Sequence, residues 1–316
     1  MADISKTNEI VVIGELNVDL IASGLLETPV LGREILAADF TTTLGSASAI
    51  FASGAARLGR GVTFISRVGE DEFGRFCVDS LAAKNVSTEY IQIDRRSKTG
   101  VTMVLSTASD RALVTYLGAI GELSFDDVPL EIMDGHRHLH LTSYYLQTAL
   151  QPDFPRLMRA ARKSGLTTSF DPNSDPDQKR NENVLEVAGQ TDILFVNEPE
   201  AKLLAGTDDV LEAGRKLNQR ARTVVIKLGA KGSVGFEKGE IVSAGGFRVE
   251  AVDTTGAGDS FAAGFVHAFL DGRELKECLA IGNACGALST SKPGGTDGQP
   301  SLAELDQFLA MAAAAK

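Results

Sequence analysis

The stretch VDTTGAGDSFAAGF, Val252–Phe265, decides the fold. Up to Asp259 it packs threonines, glycines and an alanine into a short turn, and then it becomes apolar. Phe261, Phe265 and Phe269 recur at i, i+4 and i+8 with Ala262 beside them, one apolar stripe of a helix. The reading is a strand, a glycine turn and a helix start. A helix N-terminus presents unpaired N–H groups and a positive dipole end, and it binds phosphate readily. Gly256 and Gly258 permit close approach of a ligand, and Ala257 keeps the turn small, so its amides can form a concave anion site. Asp259 falls in the first helical turn. It admits two readings: a helix cap, or a general base taking a proton from an attacking hydroxyl beside the anion.

Outward from this turn, strands and helices alternate. Glu9–Leu16 reads as a buried strand, Ser46–Gly59 as a helix, Val62–Gly69 as a strand and Phe73–Val86 as a helix. The rhythm returns in LTTSFDPN, ILFVNEPEAKLLAG and ARTVVIKLG. Such alternation implies a mostly parallel sheet covered by helices, an α/β three-layer sandwich. Val18–Phe40 and Thr99–Leu117 break it with strands and turns alone, the second as a hairpin turning near Ser109-Asp110. A small β appendage is expected there, within a single domain spanning residues 1–316.

The chain has 316 residues and a formal net charge of -11. An acidic chain without a basic tract is a poor partner for nucleic acid or an anionic membrane. The short basic runs QRAR and RRSK read as solvated faces. Cys77, Cys278 and Cys285 are odd in number and form no C-x-x-C, which argues against a disulfide framework or structural zinc. MADISKTNEI lacks the apolar stretch of a signal peptide, and no apolar run approaches the roughly 20 residues of a membrane span. The expectation is a soluble, cytoplasmic protein. His136, His138 and His140 recur at period two on one strand face. A structural role is the simpler reading than metal binding. No G-x-x-x-x-G-K-[ST] and no protein-kinase H-R-D or D-F-G occurs.

DTTGAGDSFAAGF resembles the C-terminal signature of the ribokinase-like (PfkB) carbohydrate kinases. Further matches follow in the family's order: GELNVD at Gly14–Asp19, GEDEFG at Gly69–Gly74, FDPN at Phe170–Asn173, VNEPEA at Val196–Ala201 and KLGAKG at Lys227–Gly232. The resemblance covers essentially the whole chain. It implies a central α/β sandwich with a β lid, here from about residues 16–41 and 98–119, and transfer of the γ-phosphate of ATP to a hydroxymethyl group. Asp259 would be the base, and the amides of Gly256, Ala257 and Gly258 would stabilise the transferring phosphoryl group. Asn197 and Glu200 would organise Mg²⁺ through water. Lys227, Gly229 and Gly232 would lie along the nucleotide, with Asn283 toward the adenine. Asp253 and Thr255 match positions that hold a monovalent cation, K⁺, in many members. Asn17 and Asp19 would hold sugar hydroxyls, with Gly45, Ser46, Ser143 and Tyr144 as further substrate-site candidates. Family lids often pair across a homodimer.

The sequence also departs from the family. The N-terminal signature G-G-x-x-x-N-x-A reads GSASAIFA here, with Ser46 for the second glycine and Ile50 for the asparagine. An isoleucine forms no hydrogen bond, so a more apolar pocket wall is expected; Ser46 could partly compensate with its hydroxyl. Asp175 stands where ketodeoxygluconate kinase and fructokinase relatives often carry arginine in D-P-N-x-R; without that cation an acidic sugar or sugar phosphate is disfavoured and a neutral substrate is expected. The expected function is an ATP-dependent kinase of a neutral sugar. A nucleoside kinase is the alternative within the same chemistry, and a non-catalytic nucleotide- or sugar-binding regulator is the alternative outside it.

Overall fold

Ile10, Val11, Val12 and Ile13 have no solvent exposure, and alternate members enter different cores: Ile10 and Val12 one, Val11 and Ile13 the other. A strand buried on both faces belongs inside a parallel sheet covered on both sides. The computed structural model describes residues 8–107 and 110–314. Its strands are β1 Asn8–Ile13, β2 Asn17–Leu25, β3 Asp39–Leu44, β4 Gly61–Gly69, β5 Val86–Asp94, β6 Gly100–Thr107, β7 Arg111–Tyr116, β8 His138–Thr142, β9 Thr167–Asp171, β10 Ile193–Asn197, β11 Thr223–Lys227, β12 Gly232–Glu237 and β13 Glu240–Gly245. Its helices are α1 Ala47–Arg57, α2 Glu72–Ala83, α3 Phe154–Lys163, α4 Glu182–Ala188, α5 Glu198–Ala205, α6 Val210–Asn218, α7 Ala257–Leu270, α8 Leu275–Ser289 and α9 Leu302–Ala314.

The large sheet has nine strands in the order β13-β12-β11-β10-β9-β8-β1-β4-β5. From β5 to β11 neighbouring strands are parallel; β12 and β13 add an antiparallel edge. One core lies under α3, α4, α5 and α6, the other under α1, α2, α7 and α8. The carboxyl ends of β1, β8, β9, β10 and β11 lie side by side, where ligands bind in open α/β sheets. Among the described residues, no helix is long and apolar enough to cross a membrane.

The four-stranded second sheet, β3-β2-β6-β7, comes from the two stretches that lack helices. Its register sets Asp19 opposite Thr43 and Thr102, and Thr102 opposite Thr115. By strand alternation Ile21, Val104, Leu113 and Arg111 share that face. Phe40, Met103, Val114 and Tyr116 occupy the opposite face and are exposed. GEDEFG ties this sheet to the body. Asp71 caps α2 by accepting from Gly74 N (2.8 Å), and it also accepts from Thr99 N (2.8 Å) and Thr99 Oγ1 (2.7 Å), one residue before β6.

Two boundaries differ from the sequence reading. The helix expected through Val86 stops at Ala83, because Asn85 adopts φ 63 and Val86 opens β5. The glycine turn follows a loop rather than a strand: Val252 is exposed, and the amides of Val252 and Asp253 bond to the Thr290 carbonyl instead of a sheet. Of the expected hairpin turn, Ser109 lies outside the described residues; Thr107 N donates to Asp110 O at 2.9 Å.

Candidate active site

β9 ends at Asp171, β10 at Asn197 and β11 at Lys227. Asn197 and Lys227 are register partners, and Lys227 Nζ reaches Asp171 Oδ2 at 2.5 Å. Pro199 and Glu200 follow in the first turn of α5, where Asn197 Oδ1 accepts from Glu200 N (2.9 Å) and Glu200 Oε2 from Asn197 N (2.8 Å). This capping box fixes the Glu200 carboxylate, whose Oε1 also accepts from Ser174 Oγ at 2.9 Å. Burial raises the Glu200 carboxyl and Asp171 adds to the rise, while Lys227 opposes it. Burial works against the Lys227 charge, but Asp171, Glu200 and Asp259 together overcome it and raise the ammonium.

Above this cluster sits the glycine turn. Gly256 takes φ 70 as the N-cap of α7, and a side chain there would strike Ile50 and Gly295. A β-carbon on Gly258 would lie 3.1 Å from Lys227 Nζ, so the ammonium is directly beneath the turn. Lys227, expected along the nucleotide, thus has its ammonium between Asp171 and the glycine turn. Among the described residues, no acceptor engages the amides of Gly256 or Gly258. The Ala257 amide is turned to Thr254 O at 3.3 Å, which corrects its assignment to the anion hole. Asp259 caps nothing, and its carboxylate has no hydrogen-bond partner among the described residues. Loss of hydration is the leading cause that pushes it up to about 8, followed by Asp171 and countered by Lys227.

Across the cleft, Asn17 Nδ2 donates to Asp19 Oδ1 (2.9 Å), and both crowd against Gly45, which has no room for a β-carbon. Burial raises Asp19 to about 7, with Asn17 and then Arg111 opposing. Other candidates are spent on the protein. Ser46 caps α1, its Oγ accepting from Ala49 N (2.9 Å) and donating to Glu15 O (2.5 Å), so its single proton is committed to the protein. Ser143 Oγ donates to Glu15 Oε1 at 2.7 Å. Tyr144 is a core ring, edge-on to Phe154 and Phe170. Ile50, 3% exposed, packs against Gly256 of the turn and against Gly295.

On the nucleotide side, Gly229 is open and exposed. Gly232 is crowded by Ala244 O and serves the turn into β12. Asn283 Nδ2 donates to Ala244 O (3.1 Å) and Gly245 O (3.2 Å), tying α8 to the edge strand rather than facing a base.

The acidic oxygens of Asp171 and Glu200 suit Mg²⁺, a hard cation that keeps water. Because both Glu200 oxygens already accept hydrogen bonds, the fit is through water. Asp253 and Thr255 do not fit K⁺. Asp253 Oδ1 accepts from Thr255 N (2.9 Å) and Thr255 Oγ1 (2.7 Å), and Oδ2 from Gly294 N (2.9 Å). Arg111 Nη1 donates to Thr255 Oγ1 at 2.5 Å and stands 3.7 Å from Asp253 Oδ1.

Three residues were missed in the sequence. Asp171 sits within FDPN but was read only as a strand end. Glu15 is fully buried and also accepts from Ser48. Arg111 carries no local signature. His138 and His140 bond Ser169, and His140 stacks on Phe51, while His136, ahead of β8, bonds Thr63.

The profile of the pfkB family carbohydrate kinases matches residues 7–302. The chain is 34% identical to the 2-dehydro-3-deoxygluconokinase of Bacillus subtilis, over 85% of this chain and 87% of that protein. An E. coli protein described as a ribokinase II, solved with ATP and Mg²⁺, superposes with a TM-score of 0.86 at 26% identity, covering 96% of this chain and 99% of that one. Arabidopsis thaliana ribokinase with ribose and ATP gives 0.83 at 26% identity, with the same coverage of 96% and 99%.

Proposed function

The chain belongs to the pfkB family of carbohydrate kinases, and from that premise we propose that it moves the γ-phosphoryl group of ATP to a primary hydroxyl of a neutral sugar, with Asp259 as general base. The observation that carries this reading is the unpartnered Asp259 carboxylate, set beside the free amides of Gly256 and Gly258 and over the Lys227 ammonium.

The carboxylate takes the proton of the sugar hydroxyl as its oxygen bonds to the γ-phosphorus. The bond from that phosphorus to the bridging oxygen breaks and ADP leaves. The two amides donate to the phosphoryl oxygens, where preorganised dipoles act most strongly. Mg²⁺, held through water by Asn197, Asp171 and Glu200, would neutralise phosphate charge. Asn17 and Asp19 would accept and donate to vicinal hydroxyls, and Gly229 would border the nucleotide. The small sheet acts as a lid, which excludes water when it closes. Its exposed apolar face, Phe40, Met103, Val114 and Tyr116, suits pairing with a second copy.

A neutral sugar is supported by the fate of the cations. Lys227 is held by Asp171, and Arg111 by Thr255 and Asp253. A nucleoside is the second reading, favoured by the apolar Ile21, Val104 and Leu113 on the lid face that carries Asp19. The test is ADP release from Mg²⁺-ATP across neutral sugars and nucleosides, with Asp259→Asn in parallel. A hit that disappears in the variant supports the reaction and its base, and names the substrate class. Silence across the panel with ATP binding intact points to the non-catalytic regulator.

A further inference from the structure

Arg111 lies on β7, in the small sheet, while Asp253 and Thr255 lie on the loop that enters α7. Its guanidinium crosses to that loop, donating to Thr255 Oγ1 at 2.5 Å and standing 3.7 Å from Asp253 Oδ1. Asp253 in turn accepts from Gly294 N, so the same carboxylate joins the α7 loop to the segment after α8. Its other oxygen accepts from Thr255 N at 2.9 Å and Thr255 Oγ1 at 2.7 Å. Both oxygens of the aspartate are thus held by the loop, and the guanidinium is the cation beside them. Arg111 also shares the sheet face that carries Asp19.

We propose that Arg111 is a built-in replacement for the monovalent cation at the Asp253 loop, a positioning residue that delivers its charge to the phosphate turn only when the lid is closed. Thr255 immediately precedes Gly256, so fixing its hydroxyl fixes the direction of the first free amide. A guanidinium is permanently charged and offers several donors in a rigid fork. Potassium would arrive from solution whether the lid was open or shut. A lid-borne arginine makes loop order conditional on closure, so the turn is assembled when water has been excluded. The enzyme is therefore independent of K⁺. This inference rests on the kinase reading for its catalytic consequence, but the cation at Asp253 can be tested without turnover.

The experiment is thermal melting of the full chain in KCl, NaCl and choline chloride at equal ionic strength, for the wild type, Arg111→Met and Arg111→Lys. The wild type should melt at one temperature in all three salts. Arg111→Met frees Asp253 and should melt lower in choline and recover selectively in K⁺, by a few degrees at a K⁺ concentration well above its dissociation constant. Arg111→Lys retains a cation and should show less of this response. A K⁺-specific rise in the wild type overturns the proposal, as does an Arg111→Met protein that melts identically in every salt. Where the sugar panel yields a substrate, ADP formation by the wild type should stay flat from no K⁺ to about 0.1 M, a range in which screening alone already changes. Arg111→Met should be impaired and K⁺-responsive, with ATP binding retained. Strong activation of the wild type by K⁺ would count against the proposal. A silent panel would count against the kinase reading alone, because the melting result stands separately.

Discussion

The two halves of the cleft are built differently. The half proposed to hold phosphate rests on the ends of adjacent parallel strands, and its charged groups, Asp171, Lys227, Glu200 and Asp259, act on one another directly. The half proposed to hold the sugar is assembled by β register: Asp19, Thr43, Thr102 and Thr115 meet only because β2, β3, β6 and β7 pair as they do. In the first half a short motif and its chemistry coincide. In the second, the residues next to the motifs, Ser46 and Ser143, are consumed by Glu15 and by capping, while the facing positions come from strands far apart in the chain. Phosphoryl transfer asks for the same groups whatever the acceptor. The acceptor pocket is free to vary, so its residues need no fixed spacing.

Substitutions should separate the halves by what they change. Asp259→Asn is expected to have the largest effect, lowering kcat by at least roughly a hundredfold, the low end of general-base contributions, while folding and ATP binding persist. Unchanged turnover would remove Asp259 as the base and leave the phosphate half without its proposed chemistry. Asp19→Ala should instead act on sugar affinity. Loss of a hydrogen bond to a charged acceptor, about 1.5–3 kcal/mol, corresponds to roughly 10- to 100-fold in KM for the sugar, with KM for ATP little changed. An equal effect on both substrates would erase the division.

The pH profile sharpens the contrast. Asp259 is pushed up to about 8, so the basic form accumulates as pH rises through that value, and kcat/KM should climb between about pH 6 and 8. The same shift has the opposite sign for stability. A carboxyl whose native value is raised favours the fold at low pH, and that contribution is lost as pH rises from its unfolded value of 3.8 through about 8. Asp259→Asn should therefore gain Tm relative to the wild type as pH rises over that window. A constant difference would mean that the carboxylate is better solvated than its surroundings indicate.

What could be read in the sequence follows the same division. The double burial of Ile10–Ile13, the phenylalanine stripe of α7 and the strand–helix alternation come from short-range periodicity, and they fixed the sandwich. Asp259, Gly256 and Gly258 could be picked out as candidates because a helix start is a local object. The KLGAKG motif points to Lys227, but nothing local shows that it bends under Gly258 toward Asp171, a partner 56 residues away. Tyr144 and Asn283 were chosen by position along the chain, and tertiary packing turned one into the core and the other toward β13. Arg111 could not have been found from spacing, because its partners Thr255 and Asp253 are brought to it by the docking of one sheet on another.

The smallest expected effect tests whether Ser46 belongs to the scaffold or to the pocket. Ser46 holds φ 75 and ψ 119, a region that costs a residue with a side chain on the order of 1–3 kcal/mol. Its hydroxyl offsets part of this by capping α1 and bonding Glu15 O. Ser46→Ala keeps the strain and loses the cap, worth about 0.5–2 kcal/mol, so Tm should fall. Ser46→Gly loses the cap as well, but glycine is tolerated at an N-cap for a few tenths of a kcal/mol and carries no penalty at positive φ, so Tm should rise. At roughly 2–4 °C per kcal/mol for a large domain, the two variants should fall on opposite sides of the wild type by a few degrees. Sugar KM should move in neither, because the hydroxyl is turned into the protein. A rise in KM with Ser46→Ala that tracks the number of hydroxyls on the sugar would return Ser46 to the pocket, and it would mean that the capping geometry opens when the acceptor binds.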